Sequence, residues 1–125
     1  MRSPDIGRRL LLITAIAGAA TILATAAVRA DVFLSRLEDM PLAPGLSEDA
    51  GAGLAFDSAS GRIVEAYARG NLTEDQVLHF YAETLPQLGW TAEGVRQYRR
   101  SGERLRLELV RSGQGITVHY SLSPQ

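Results

Sequence analysis

The chain has 125 residues, no cysteine and a formal net charge of −1 at neutral pH. Its length suits one domain, and its hydrophobic fraction of 46% is ordinary for a globular protein. The lack of cysteine excludes disulfides, thiolate catalysis, cysteine zinc sites and a lipidated cysteine. The stability of the domain must therefore come from a packed core.

The first 30 residues have the pattern of an export segment. Arg2, Arg8 and Arg9 precede an uncharged run, Leu10 to Val28, and the small residue Ala30 stands where a signal peptidase would cleave. The basic flank should stay in the cytoplasm, which places the rest of the chain across the membrane. Cleavage after Ala30 would give a periplasmic protein. An uncleaved segment, near the length that spans a bilayer, would anchor the domain in the inner membrane, facing the periplasm.

The segment after the export signal is predicted to form a short helix and then an arm. Phe33, Leu37 and Met40 have helical spacing, and Pro41 ends the pattern. Proline and glycine residues then predict a loop that continues to residue 53. The polar side of the short helix is acidic, which favours packing on its own domain over contact with a membrane surface.

Two apolar stretches around a Ser-Ala-Ser-Gly turn predict a first β-hairpin. A four-residue loop pairs Phe56 with Ile63, whereas a five-residue loop pairs Leu54 with Val64. A slip of one residue reverses the face of every side chain. We prefer the five-residue loop, because it places two alanines further along the second strand on the buried face, where they leave room for a helix.

The stretch from Thr73 to Trp90 predicts the main helix. Thr73 is a good N-cap, and Gln76 completes a capping box. Pro86 must distort the last turn, and Gly89 can supply a left-handed stop before Trp90 enters the core. The residues that should form its apolar stripe are Val77, Phe80, Tyr81, Thr84, Leu85 and Leu88.

The last third of the chain alternates apolar and polar residues, as half-buried strands do. A hairpin around Ser101-Gly102 pairs Tyr98 with Leu105 and brings Arg99 near Arg104. A loop at residues 112–115 closes the last hairpin, in a register that pairs apolar residues on one face of the sheet and polar residues on the other. Its predicted pairs are Leu109 with Val118, Leu107 with Tyr120, Leu105 with Leu122 and, on the other face, Glu108 with His119.

The predicted order of elements is β-β-α-β-β-β. It corresponds to an α+β fold, an antiparallel sheet of about five strands with one main helix packed on one face. The chain divides into residues 1–30 as signal peptide or membrane anchor, residues 31–53 as short helix and arm, and residues 54–125 as the α+β domain.

Three short motifs link residues 40–125 to a known group of proteins. They are a PL-x-PGL segment, a strand RIVEAYARG and a helix with the pattern FY-x3-LP-x2-GW, followed by a C-terminal β-hairpin. The chain thus resembles small exported proteobacterial proteins of unknown function. Because the motifs consist mainly of structural residues, the resemblance implies the fold and an exported location but no active site.

The polar residues do not form a recognisable catalytic or metal-binding set. His79 and Glu83 lie one helical turn apart, but two ligands do not make a zinc site. His119 is predicted on the strand face opposite the leucines and should point away from the helix. The sequence has no nucleophile elbow, no phosphate-binding Gly-Lys loop and no dinucleotide fingerprint. We therefore expect a protein that is not an enzyme and has neither a cofactor nor a metal.

The sheet face away from the helix is the candidate interaction face. We expect an exported, non-enzymatic binding or assembly module whose partner is another envelope protein. Nucleic acid is not expected, because the chain is exported and its charges are mixed. Membrane contact is expected only through an uncleaved N-terminal segment. The alternative is a small periplasmic ligand-binding protein or hydrolase with a pocket between helix and sheet. The residues predicted on the face are Arg99, Arg104, Arg106, Glu108 and His119.

Export can be tested with a reporter enzyme that is active only outside the cytoplasm, fused to the C-terminus. We expect activity, because the arginine-flanked apolar segment should direct the domain across the membrane. Mass spectrometry of the purified protein should find a mature chain that begins at or near Asp31. An intact N-terminus would establish the anchored form, and an inactive fusion would contradict export.

Overall fold

The computed structural model describes residues 32–125, so the predictions for residues 1–30 lie outside the described residues. Within residues 32–125, no helix has the length and apolar character needed to cross a bilayer. The main elements are β1 (Leu46–Glu48), β2 (Leu54–Ser58), β3 (Gly61–Gly70), α1 (Glu74–Thr84), β4 (Thr91–Gly94), β5 (Gln97–Arg100), β6 (Glu103–Ser112) and β7 (Gly115–Pro124).

The seven strands form one antiparallel sheet. Six of them follow the order β1-β3-β7-β6-β5-β4, and β2 pairs with β3. Strand β3 is long enough to pair with β2 along its first half and with β1 at its end. One face of the long strands packs on α1 and on the segment before β1, and the other face is open. The α+β class and the antiparallel sheet with one helix are confirmed.

The number of strands is higher than the predicted five. The additional strands are β1, which lies inside the predicted loop 41–53, and β4, which follows Trp90. They contain three and four residues, too few to show an alternating pattern, and all four residues of β4 are exposed. Pairing with longer neighbours, and not their own sequence, determines these two strands.

The predicted registers of the two C-terminal hairpins are confirmed. Tyr98 pairs with Leu105, and Leu105 in turn pairs with Leu122. Glu108 pairs with His119 on the opposite face. The alternation of leucines with charged residues determines these pairs, because a shift of one residue would bury the charges.

The preferred register of the first hairpin is wrong. Phe56 pairs with Ile63, as the four-residue alternative required, and pairing continues until Ser58 meets Gly61 across a tight turn. The Ser58 hydroxyl donates a hydrogen bond to the Gly61 carbonyl at 2.6 Å. The alanines of β3 are nevertheless buried, because the pairing of β3 with β7 and the packing above it decide which face of β3 is covered.

The start of α1 is as predicted, whereas the α-helix itself ends at Thr84, and the predicted stop at Gly89 follows the 3-10 turn after it. The Thr73 hydroxyl accepts from the Gln76 amide at 3.1 Å, and the Gln76 side chain accepts from the Thr73 amide at 2.8 Å. After the helix, Pro86 lies in a 3-10 turn, Leu85–Leu88, and Gly89 is left-handed with φ 93°. Trp90 is buried. The capping box and the left-handed stop therefore define the two ends of this segment.

The predicted short helix before Pro41 is wrong. In its place the backbone forms a compact turn, in which the Leu34 amide bonds to the Met40 carbonyl at 3.0 Å. Phe33 forms an isolated β-bridge with Pro41 and is exposed. A helix this short is marginal by itself, whereas the turn buries Leu34, Leu37 and Met40 together. The arm packs into the domain core, and its β1 extends the sheet.

A pair of buried tyrosines lies at the centre of the core. Tyr81 of α1 donates its hydroxyl hydrogen to the Pro41 carbonyl at 2.8 Å, and its oxygen lies 2.6 Å from the hydroxyl oxygen of Tyr120 in β7. Since Tyr81 donates to Pro41, Tyr120 is the donor between the two tyrosines. Burial raises the pKa of both hydroxyls well above the usual value.

Truncation of the helix stripe should destabilise the domain far more than loss of the cap. Tyr81→Ala should lower the free energy of unfolding by about 3 to 5 kcal/mol, because it leaves a cavity in the core. Thr73→Ala should cost about 1 kcal/mol. Denaturant melts would measure both, with Glu83→Ala on the exposed side of the helix as a control near zero. A neutral Tyr81→Ala would contradict the packing.

Stability should fall at alkaline pH because of the tyrosine pair. In the unfolded chain the tyrosines ionise near pH 10, whereas the raised pKa values keep both hydroxyls protonated in the fold. The free energy of unfolding should therefore fall as the pH rises above about 10, by up to about 1.4 kcal/mol per pH unit for each tyrosine. Urea melts at several pH values should show a shallower fall for the Tyr81→Phe, Tyr120→Phe double variant. Equal slopes would refute the assignment.

Candidate functional site

The sheet face opposite α1 collects charged, aromatic and apolar side chains, and we call it the open face. Residues that pair directly in an antiparallel sheet, or that alternate along a strand, share a face. By this rule all five residues of the predicted interaction face lie on it. The open face includes Leu54, Phe56, Ile63, Glu65, Tyr67, Arg99, Arg104, Arg106, Glu108, Val110, His119 and Ser121.

His119 is the centre of a polar cluster on the open face. Its Nδ1 lies 3.1 Å from a Glu108 carboxylate oxygen, and its Nε2 contacts the Glu65 carboxylate. The ring of Tyr67 stacks on the imidazole with centroids 4.4 Å apart and planes within 4°. Ser121 donates to the other Glu65 oxygen at 2.9 Å. The side chains of three adjacent strands thus hold the imidazole in one orientation.

The hydrogen bonds of this cluster hold its charged side chains in place but do not activate Ser121. Both ring nitrogens of His119 are in contact with carboxylates, one from Glu108 and one from Glu65. The Ser121 hydroxyl points its hydrogen at Glu65 and not at His119. It therefore does not form the serine–histidine hydrogen bond that activates a nucleophile. Each polar group of the cluster therefore already has a partner within the domain.

Sequence reasoning placed His119 and Glu108 together but missed Glu65, Tyr67 and Ser121. The missing information was the pairing of β3 with β7, which sets Tyr67 opposite His119 and Glu65 opposite Ser121. These strands are far apart along the chain, and no turn links them. Alternation along β3 does place Glu65 and Tyr67 on one face, which was the only local signal.

Three arginines form the other charged part of the open face. Arg99 and Arg104 are cross-strand neighbours, and a single carboxylate, Glu93, lies between them at 2.8 Å and 3.9 Å. Glu93 reaches this position from the irregularity in β4 between Ala92 and Gly94. Among residues 32–125, no carboxylate forms an ion pair with Arg106. This end of the face therefore carries an excess of positive charge.

Apolar side chains border the polar part of the face. Leu54 and Phe56 on the edge strand β2 are 47% and 53% exposed, and Val110 of β6 is 59% exposed. Phe56 pairs with the half-buried Ile63. Leu54 and Phe56 lie together on β2, whereas Val110 lies three strands away on β6. A group of exposed large apolar side chains beside polar residues is typical of surfaces that bind other proteins.

The histidines do not combine into a metal site. His79 lies 3.3 Å from Glu83 on the exposed side of α1, whereas His119 is on the opposite side of the sheet. In the part of the chain that the structure describes, no group of three or more His, Asp or Glu side chains is arranged to hold a metal ion. The His79–Glu83 pair is a surface contact of adjacent helical turns.

Comparisons with protein families, with curated proteins and with solved structures found no match for the chain. The resemblance to small exported proteobacterial proteins therefore rests on its three motifs and remains a prediction.

Proposed function

We propose that the protein is an exported, non-enzymatic binding or assembly module that holds an acidic surface of another envelope protein against the open face. The observation that carries the proposal is the combination, on one uncovered sheet face, of excess arginine charge with exposed apolar side chains. The location follows from the predicted export segment, either as a periplasmic protein or as a domain anchored in the inner membrane.

The arginines determine the charge of the partner. Arg99 and Arg104 share one carboxylate, and Arg106 extends beside them from the same strand as Arg104. Arginine makes forked contacts with carboxylates and is enriched at protein interfaces, where lysine is depleted. A partner that presents Asp or Glu opposite β5 and β6 would balance the excess charge.

The apolar border supplies the other half of the surface. Leu54, Phe56 and Val110 lose water only when another molecule covers them. Each is already about half covered, so covering the rest would contribute about 0.7 to 1.5 kcal/mol, half the value for a fully exposed side chain. The charged region should select the partner and orient it, and the apolar border should provide affinity.

The contacts within the central cluster support a role in binding. Tyr67, His119 and Glu65 already contact one another in the free protein, so a partner would not have to order them. Binding sites that are ordered in advance avoid part of the entropy that association costs. The alternative, a ligand pocket between helix and sheet, is less favoured where α1 lies over β7, because Tyr81 and Tyr120 fill that part of the interface and are fully buried.

Photocrosslinking in cells would test the open face. A photoreactive residue at position 106 should capture an exported protein, and mass spectrometry should place the crosslink beside Asp or Glu residues. The same group at the exposed position 87, on the 3-10 turn after α1, should not capture that protein.

A charge reversal with a matched control makes this test specific. Arg106→Glu should abolish capture by a photoreactive group at position 108, because it repels an acidic partner. Arg111→Glu makes the same charge change on β6, but Arg111 pairs with Ile116 and lies on the other face, so capture should persist. No specific protein at position 106, or equal sensitivity to both reversals, would refute the proposal.

A further inference from the structure

A second unoccupied surface lies on the other side of the sheet, between α1 and the β4–β5 hairpin. It is a groove of about 580 Å³. Its helix wall consists of Asp75, Leu78, His79 and Ala82, which are spaced as one stripe along α1. This stripe is separate from the core stripe of the same helix, so its residues are available for another contact.

The sheet side of the groove is formed by small residues over an aromatic floor. Ala92 and Gly94 of β4 line it, and the buried ring of Tyr98 lies below. Val95, in the turn between β4 and β5, is 65% exposed at the rim. The groove exists because Ala82, Ala92 and Gly94 have too little side chain to fill the space between helix and sheet. Its lining is mostly apolar.

Strand β4 beside this groove is the edge of the sheet. In the described residues its backbone groups pair only with β5, so the outer row of amides and carbonyls is free. An unpaired edge can accept another strand, whose alternate side chains then point to one face of the sheet. In an added strand beside β4, the side chains on the face that packs on α1 would point into the groove.

We infer that the groove and the edge of β4 together bind an extended peptide segment of another protein. The segment adds to β4 as a further strand, inserts apolar side chains between α1 and the hairpin, and places a basic side chain beside Asp75. This inference uses a different surface from the proposed function and stands independently of it.

The charges around the groove indicate a basic segment. Asp75 is exposed at the wall, and the lining contains no arginine. The nearby Arg96 contacts Glu74, which neutralises it and ties the β4–β5 turn to the start of the helix. Glu83 adds a second acidic group beside His79. Asp75 lies in the first turn of α1, near the positive end of the helix, and no basic side chain of the described residues forms an ion pair with it. A lysine or arginine in the peptide would therefore meet an acidic side chain that has no ion-pair partner.

The same charges disfavour a second copy of this chain as the occupant. A symmetric pairing of two β4 edges would bring together the helix walls of both copies, with Asp75 and Glu83 from each. Like charges at such a contact oppose association. A small apolar molecule would fill the groove but leave the backbone of β4 unpaired. An extended peptide would both fill the groove and form hydrogen bonds with the backbone of β4.

Titration with synthetic peptides, followed by NMR of the isotope-labelled domain, would test this inference. The probe is a short peptide in which valines alternate with threonine and arginine. We expect shifts of the amides of β4 and of Leu78 and Ala82. A peptide with glutamate in place of arginine should bind more weakly. A peptide N-methylated along one edge should bind at least about tenfold more weakly, because it cannot pair with β4.

Two pairs of variants localise the site. Ala82→Leu should fill the groove and weaken binding of the arginine peptide at least about tenfold, whereas Ala55→Leu on the distant strand β2 should not. Asp75→Asn should remove most of the preference for arginine over glutamate, and Asp57→Asn should leave it intact. All four substituted positions are exposed, so folding should be preserved, which thermal melts would verify.

Several results would overturn the inference. They are absence of binding by the arginine peptide, equal binding of the N-methylated peptide, insensitivity to Ala82→Leu, and shifts confined to the open face. Dimerisation of the domain through β4 would also overturn it. None of these results depends on Arg106, so failure here is distinguishable from failure of the proposed function.

Discussion

The hydrogen bonds of Tyr81 connect the three parts of the domain. Its hydroxyl bonds to the Pro41 carbonyl of the arm and to Tyr120 of the sheet, while its ring belongs to the helix stripe. A buried hydroxyl without partners would be costly, so helix, arm and sheet must meet in one arrangement to satisfy it. The arm and α1 consequently cover the same side of the sheet. The other side is left open, and that asymmetry creates the surface proposed to bind a partner.

How far the sequence predicts this fold depends on the length of each pattern. Strands β6 and β7 have ten residues each, and their alternation determines both faces and the register. The helical segment is marked at its start by Thr73, and Gly89 marks the end of the 3-10 turn that follows α1. The turn before Pro41 and the strands β1 and β4 are short, and contacts with distant residues decide their conformation. Their structure therefore could not be predicted from local sequence.

The candidate surfaces show the same division. The placement of Arg99, Arg104 and Arg106 on one face follows from two hairpins, each closed by a short turn. The contact of Glu65 with His119 requires the long-range pairing of β3 with β7, which no local pattern reveals. The groove beside β4 could not be predicted from the sequence for a different reason. It is defined by missing side-chain volume at small residues, and alanine and glycine are too common in this chain to stand out.

The two proposed surfaces meet at one strand, which affects how they can be separated. In β5, Tyr98 forms the floor of the groove while its neighbour Arg99 lies on the open face. Glu93 belongs to β4, the strand that a peptide would extend, and contacts Arg99 of β5. A strand added to β4 could therefore alter the arginine cluster through Glu93. Substitutions in β5 would disturb both surfaces, whereas Ala82 on the helix and Arg106 on β6 each belong to one of them. A change at one of these two positions that altered binding at the other surface would show that the surfaces are coupled, and loss of that coupling in Glu93→Gln would identify Glu93 as the physical link.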